Sequence, residues 1–114
     1  MQVTSFFDAG HEKIFMPEIK TCVAGRWSSK FVDITSVHAD KGKGLLSVAN
    51  YLGIEISETM AFGDGGNDVP IIQQAGIGIA MGNAMPGVQH HADFVTSSVD
   101  EDGILLALKQ FKVI

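Results

Sequence analysis

The segment Gly63-Asp64-Gly65-Gly66-Asn67-Asp68 constrains this chain more than any other. It follows directly on Thr59-Met60-Ala61-Phe62, a short apolar run that reads as a strand. It leads into a helix that carries Pro70 in its first turn, ends at Ala75-Gly76 and has Asp68 placed as its cap. Ile77 to Met81 reads as the next strand, Gly87 to His91 as a short helix, and Asp93-Phe94-Val95-Thr96 as a third strand. The final helix opens with the capping-box spacing Ser98-x-x-Glu101 and is expected to bury Ile104, Leu108 and Phe111. Upstream, Leu45, Val48, Ala49 and Leu52 recur at helical spacing, and Gly53 stops that helix. Apolar strands alternating with helices predict an α/β fold, a parallel sheet with helices on its faces.

The pattern differs before residue 40. Val3-Thr4-Ser5-Phe6-Phe7 reads as a strand and Asp8 to Met16 as a short helix stopped around Pro17. Lys20 to Trp27 and Phe31 to Thr35 read as two strands of a hairpin, joined through the polar Ser28-Ser29-Lys30. At 114 residues there is room for one ordinary domain and not for two independent cores. Three strands make a narrow parallel sheet with exposed edges, the first sign that part of the fold lies elsewhere.

Composition excludes several classes. With 46% hydrophobic and 18% charged residues the chain is not of disordered type. No apolar run approaches the roughly 18 residues that span a bilayer, so no membrane partner is expected. The start Met1-Gln2-Val3-Thr4 has no basic region and too short an apolar run for a signal peptide. A net charge of −5 argues against nucleic acid as a partner. Cys22 is the sole cysteine, so no disulfide forms within the chain, which suits a cytoplasmic location.

The chemistry gathers around Asp64. In open parallel sheets ligands bind beyond the carboxyl ends of the strands, where Asp64 sits. Asn67 and Asp68 follow at the start of a helix, whose N–H groups and dipole favour an anion. Two carboxylates, a carboxamide and a helix amino end within five residues fit a magnesium ion beside a phosphate. The same residues also read as a tight turn with a helix cap. Other loop motifs fail. An EF-hand begun at Asp64 would need Gly and Glu where Val69 and Ala75 stand. Gly76-x-Gly78-x-x-x-Gly82 has the wrong spacing for a dinucleotide fingerprint, and Gly42-Lys43 lacks the upstream glycine of a P-loop. Lys41 and Lys43 open a helix, where lysines oppose the dipole, so an anionic partner is expected there unless the turn is simply solvated.

Gly63-Asp64-Gly65-Gly66-Asn67-Asp68 resembles the G-D-x-x-N-D motif of the haloacid dehalogenase-like superfamily, and in particular its Cof-type phosphatases. Lys41-Gly42-Lys43-Gly44-Leu45 resembles that family's lysine motif, about twenty residues upstream. Ala75 to Ala84 and Asp100-Glu101-Asp102-Gly103-Ile104 resemble the segments that follow, so the likeness covers residues 41 to 111. It implies half of a Rossmann-like core over residues 38–114, preceded by the end of an α+β cap domain over residues 1–37. It implies that Lys41 orients the nucleophile and neutralises the transferred phosphoryl group. Asp64 would bind Mg²⁺ directly, Asp68 would support it directly or through water, and Asn67 would contact the phosphate. Lys41 matches better than Lys43 because Gly42 follows it. The implied substrates are small phosphorylated metabolites such as sugar phosphates, hydrolysed through an aspartyl-phosphate intermediate.

The family's nucleophilic D-x-D is absent from these residues. Asp8-Ala9-Gly10 places Gly10 where the second acid belongs, and only 33 residues separate Asp8 from Lys41. The resemblance therefore implies the C-terminal portion of a capped phosphatase, inactive alone and binding Mg²⁺ weakly. Its partner would be the missing N-terminal half or a second copy at the exposed sheet edge. Arg26-Trp27 and Phe31 to Ile34 resemble the last cap strands, which help form the family's substrate pocket. Trp27 is read mainly as packing, and His38 as a solvated loop residue. His90 and His91 face different ways and cannot easily share a metal, and Asp100 to Asp102 complement a helix dipole. Two other classes stay open: a receiver-like domain phosphorylated on Asp64, and a non-catalytic binding or assembly module.

Overall fold

The computed structural model describes residues 2–26 and 28–114, so the reading of Trp27 lies outside the described residues. The chain divides into two compact units, Met1–Ala39 and Asp40–Ile114.

In the first unit β1 (Gln2–Ser5), α1 (Ala9–Phe15), β2 (Cys22–Gly25) and β3 (Val32–Ser36) form a three-stranded antiparallel sheet of order β1-β3-β2 with one helix. The register places Val3 opposite Ile34 and Ile34 opposite Ala24, so these apolar side chains share one face. On the other face Thr4 Oγ1 donates to Asp33 Oδ1 at 2.6 Å. Asp8 is a helix cap: its carboxylate accepts from the N–H groups of Gly10 (2.8 Å) and His11 (3.0 Å). Pro17 falls in a short 3₁₀ turn, Met16–Glu18, which ends α1 at Phe15. The β2–β3 hairpin forms as expected, with both strands shorter at their loop ends.

The loop of that hairpin is organised by Arg26. Its Nε donates to Glu12 Oε2 at 2.7 Å, its Nη1 to the carbonyls of Ser28 and Phe31, and its Nη2 to the carbonyl of Phe7. Backbone acceptors that the loop leaves without ladder partners are thereby satisfied by one guanidinium.

The second unit contains α2 (Lys41–Leu52), β4 (Met60–Gly63), α3 (Val69–Gln74), β5 (Ile77–Ala80), α4 (Pro86–Gln89), β6 (Phe94–Val95) and α5 (Gly103–Gln110). The strands form a parallel sheet in the order β4-β5-β6, and helices α3 and α4 are the crossovers. This is the α/β architecture read from the alternation. Ile72, Ala80, Ala84 and Val88 pack as one cluster with Val69 and Ala92 against it. Gly53 ends α2 in the left-handed region at φ 68°, its N–H reaching the carbonyls of Ala49 and Asn50. Among the described residues β4 has no strand on its second side. No helix among them is long and apolar enough to cross a membrane.

Helix α5 departs from the expected pattern. Ser98 N and Oγ do bond Glu101 Oε2, but they cap a separate 3₁₀ turn, Val99–Glu101. Asp102, at φ 54°, breaks the chain before α5 begins. The buried residues of α5 are Gly103 and Ala107, whereas Ile104 is nearly half exposed. The small residues win because the helix start lies directly on the backbone of Ser97, which a Cβ on Gly103 would strike. Leu108 and Phe111 are half-buried, and Phe111 meets Phe94 edge-on at 5.6 Å.

Candidate active site

Strand β4 ends at Gly63, and the chain then turns through Asp64 and Gly65 into a 3₁₀ turn, Gly66–Asp68, before α3. Gly63 is required by close approach, since a Cβ there would collide with the Asp68 side chain. Asp68 folds back beneath the loop through this gap. Its Oδ2 accepts from the N–H groups of Asp64 (3.1 Å) and Gly65 (3.0 Å). Its Oδ1 holds Lys41 Nζ. The expectation that the Asp68 side chain caps α3 is therefore corrected: it sits at the cap position without bonding the helix. Two N–H groups upstream and a lysine compete more strongly for it.

Lys41 reaches Asp68 because α2 and α3 lie close together. Asp40 caps α2, its Oδ1 accepting from Lys43 N at 3.0 Å. Gly42 faces Pro70, whose carbonyl oxygen would stand 2.6 Å from a Cβ at that position. The glycine after Lys41 thus permits the helix contact that delivers the ammonium. Lys43 is exposed, and among the described residues it has no ion pair.

The electrostatics follow. Burial of Asp68 works against its charge. The bond from Lys41 and those from the Gly65 and Asp64 N–H groups outweigh it, holding the carboxyl below the ordinary aspartate range. Asp68 is buried while Lys41 is about half exposed, so the ammonium keeps a face toward solvent. Asp64 and Asn67 are both exposed at the carboxyl end of β4.

Sequence reading passed over Asn83. It lies in the turn after β5, with Nδ2 3.4 Å from Asp64 Oδ2 and Oδ1 accepting from Val99 N at 3.0 Å. Its signal was its place beyond the carboxyl end of the strand next to β4. The other candidates stand apart from this cluster. His91 Nδ1 lies 3.0 Å from Gln73 Nε2. His90 is exposed, as are Asp100, Glu101 and Asp102. Asp8 and Arg26 are engaged within the first unit.

Among the described residues no three His, Cys, Asp or Glu side chains converge as a complete metal site. The donor set still suits Mg²⁺, which takes one or two protein carboxylates and completes its shell with water and substrate oxygen. Asp64 is exposed and its side chain accepts only from Asn83 Nδ2, through Oδ2, whereas both oxygens of Asp68 are already engaged.

A family model for haloacid dehalogenase-like hydrolases matches residues 3–108. The chain belongs to this hydrolase family. Among solved structures of haloacid dehalogenase phosphatases, BT1666 from Bacteroides thetaiotaomicron superimposes with a TM-score of 0.93 at 46% identity. The match covers 99% of this chain and 42% of BT1666. BT4131, described as a subclass IIB sugar phosphatase of the same superfamily, gives a TM-score of 0.90 at 45% identity over 100% of this chain and 44% of its own. The protein YkrA of Bacillus subtilis is 45% identical over 85 residues, 75% of this chain and 33% of YkrA. This haloacid dehalogenase-like chain therefore spans a third to somewhat under half of the length of these three relatives.

Proposed function

We propose that the chain forms part of a Mg²⁺-dependent phosphohydrolase acting on small phosphorylated metabolites, sugar phosphates foremost. The observation that carries this reading is the Lys41–Asp68 pair beside exposed Asp64 at the carboxyl end of β4. Phosphoryl transfer asks a protein mainly for positioning and charge neutralisation. Lys41 supplies a positive charge with one face open to solvent. Asp68 holds that ammonium and, through the Asp64 and Gly65 N–H groups, fixes the loop. Asn67 offers an amide to a phosphoryl oxygen. Asp64 is the direct cation ligand, with Asp68 acting through water because its oxygens are occupied. Bound Mg²⁺ would offset negative charge on the phosphoryl oxygens.

The nucleophile in this reading is an aspartate outside the 114 residues, carried by a segment that pairs with the open side of β4. Its carboxylate oxygen bonds phosphorus as the ester P–O bond breaks, and the substrate alcohol leaves with a proton given by the second acid of that same outside segment, which takes a proton back from the water of the next step. Water then attacks the acyl phosphate, releasing inorganic phosphate and restoring the carboxylate. A cytoplasmic location belongs to the same reading, in keeping with the free Cys22.

The test is Mg²⁺-dependent phosphate release from p-nitrophenyl phosphate, by the chain alone and after joining it to the N-terminal part of a relative. We expect no release alone, release from the joined protein, and loss on Asp64→Ala. Release by the chain alone would overturn the external nucleophile. Label transfer from acetyl phosphate to Asp64 would support the receiver-like alternative, and an inactive joined protein a binding module.

A further inference from the structure

We infer that Asn83 is a positioning residue for Asp64, holding one carboxylate oxygen so that the other faces a cation. The inference rests on the reading of Asp64 as the cation ligand.

The Asn83 amide has one orientation that satisfies both neighbours. Val99 N is a donor 3.0 Å away, so the carbonyl oxygen must face it, which turns the NH₂ toward Asp64. The turn that carries Asn83 is pinned on both sides. Gly82 N donates to Ser97 O at 3.0 Å, and a Cβ on Gly82 would stand 2.7 Å from Ser98 N. Ala84 is buried in the core cluster, and Gln89 Nε2 reaches the carbonyls of Gly82 and Ala84. The backbone of Asp64 is gripped by the same turn, its carbonyl accepting from Met85 N at 3.3 Å. A carboxylate that binds a cation through one oxygen keeps the other for a hydrogen bond, and that bond limits its rotation. Asn83 thus connects the 3₁₀ turn at Val99–Glu101 to the candidate cation ligand.

Two substitutions separate this role from simple packing. Asn83→Ala removes the donor to Asp64. Val99→Pro removes only the N–H that orients the Asn83 amide. Proline is compatible there, because Val99 opens the 3₁₀ turn and Ser98 before it is extended at φ −65°, ψ 166°. Mg²⁺ alone is titrated into the 114-residue chain and the amide shifts of residues 64–68 are followed by NMR, with Asp64 χ1 couplings measured without metal.

We expect Asn83→Ala to weaken Mg²⁺ binding about tenfold, the lower end for losing a partner behind a ligating carboxylate, since the contact is long. Val99→Pro should weaken it in the same direction, and the double variant should be no weaker than Asn83→Ala. Asp64 χ1 should average over rotamers in both. Should Asn83→Ala not fold, Val99→Pro carries the test. Binding within twofold of the parent and an unchanged Asp64 rotamer, with Asp64→Ala abolishing the shifts, would overturn the role of Asn83 and leave the cation reading intact. Shifts that survive Asp64→Ala, or the absence of saturable shifts in the parent, would overturn both.

Discussion

Lys41 Nζ donates to Asp68 Oδ1 across the contact of α2 with α3, although 27 positions separate the two residues. Their meeting depends on two glycines more than on the charged pair itself. Gly42 lets the first turn of α2 settle onto Pro70, and Gly63 leaves the space into which Asp68 folds. With Asp68 anchored to the N–H groups of Asp64 and Gly65, the pair fixes the helix contact and the loop at once.

Removing the lysine should therefore be felt as a change in stability with a defined pH dependence. The carboxyl of Asp68 lies below its ordinary value in the folded chain, so it stabilises the fold above the unfolded aspartate pKa and loses that contribution as pH falls through the folded one. Lys41→Gln should cost about 1–2 kcal/mol at pH 7, limited by the solvent exposure of the lysine. The difference from the parent should shrink below pH ~4, where Asp68 begins to protonate in the unfolded chain. Urea unfolding at a series of pH values measures both.

The glycines make a paired comparison within one helix. Gly42→Ala places a methyl against the carbonyl of Pro70 and should destabilise by about 1–3 kcal/mol while separating Lys41 from Asp68. Gly44→Ala meets nothing within 4 Å and should stabilise α2 by about 0.5–1 kcal/mol through the lower helix propensity of glycine. Opposite shifts in melting temperature are expected. A rise for Gly42→Ala would refute the close-approach argument.

The alternation of strands and helices after residue 40 was legible because apolar runs and glycine stops are local signals. So was the placement of Asp64 beyond a strand. The buried face of α5 was not, because large apolar residues mark a helical stripe more visibly than Gly103 and Ala107, whose small size permits the closest packing. Asn83 was illegible for another reason. An asparagine between Gly82 and Ala84 reads as an ordinary turn residue, and its approach to Asp64 follows only from β4 lying beside β5. The reach of Lys41 to Asp68 likewise needs the packing of two helices, which spacing along the chain does not specify.

In the first unit the corresponding centre is Arg26. Its guanidinium serves Glu12 and the carbonyls of Phe7, Ser28 and Phe31 together, so it is committed to the hairpin and α1. Arg26→Lys should fail to rescue, because an ammonium cannot match a planar fork directed at several acceptors. Amide exchange of β2 and β3 should accelerate in both Arg26→Lys and Arg26→Ala, while β4 and β5 keep their protection. Parent-like exchange in Arg26→Lys would mean that charge toward Glu12, not the carbonyl bonds, holds the hairpin.

Thr96 tests the attachment of α5. Its buried Oγ1 donates to the Gly103 carbonyl at 2.7 Å, tying the end of β6 to the first turn of the helix. Thr96→Val keeps the shape and removes the bond, which should cost about 1 kcal/mol. The loss should be local, because Gly82 joins this stretch through Ser97 O, not through Thr96. Amides of 103–107 should therefore exchange faster while those of 63–68 stay unchanged. Faster exchange at 63–68 as well would show that the start of α5 helps hold the Asp64 loop.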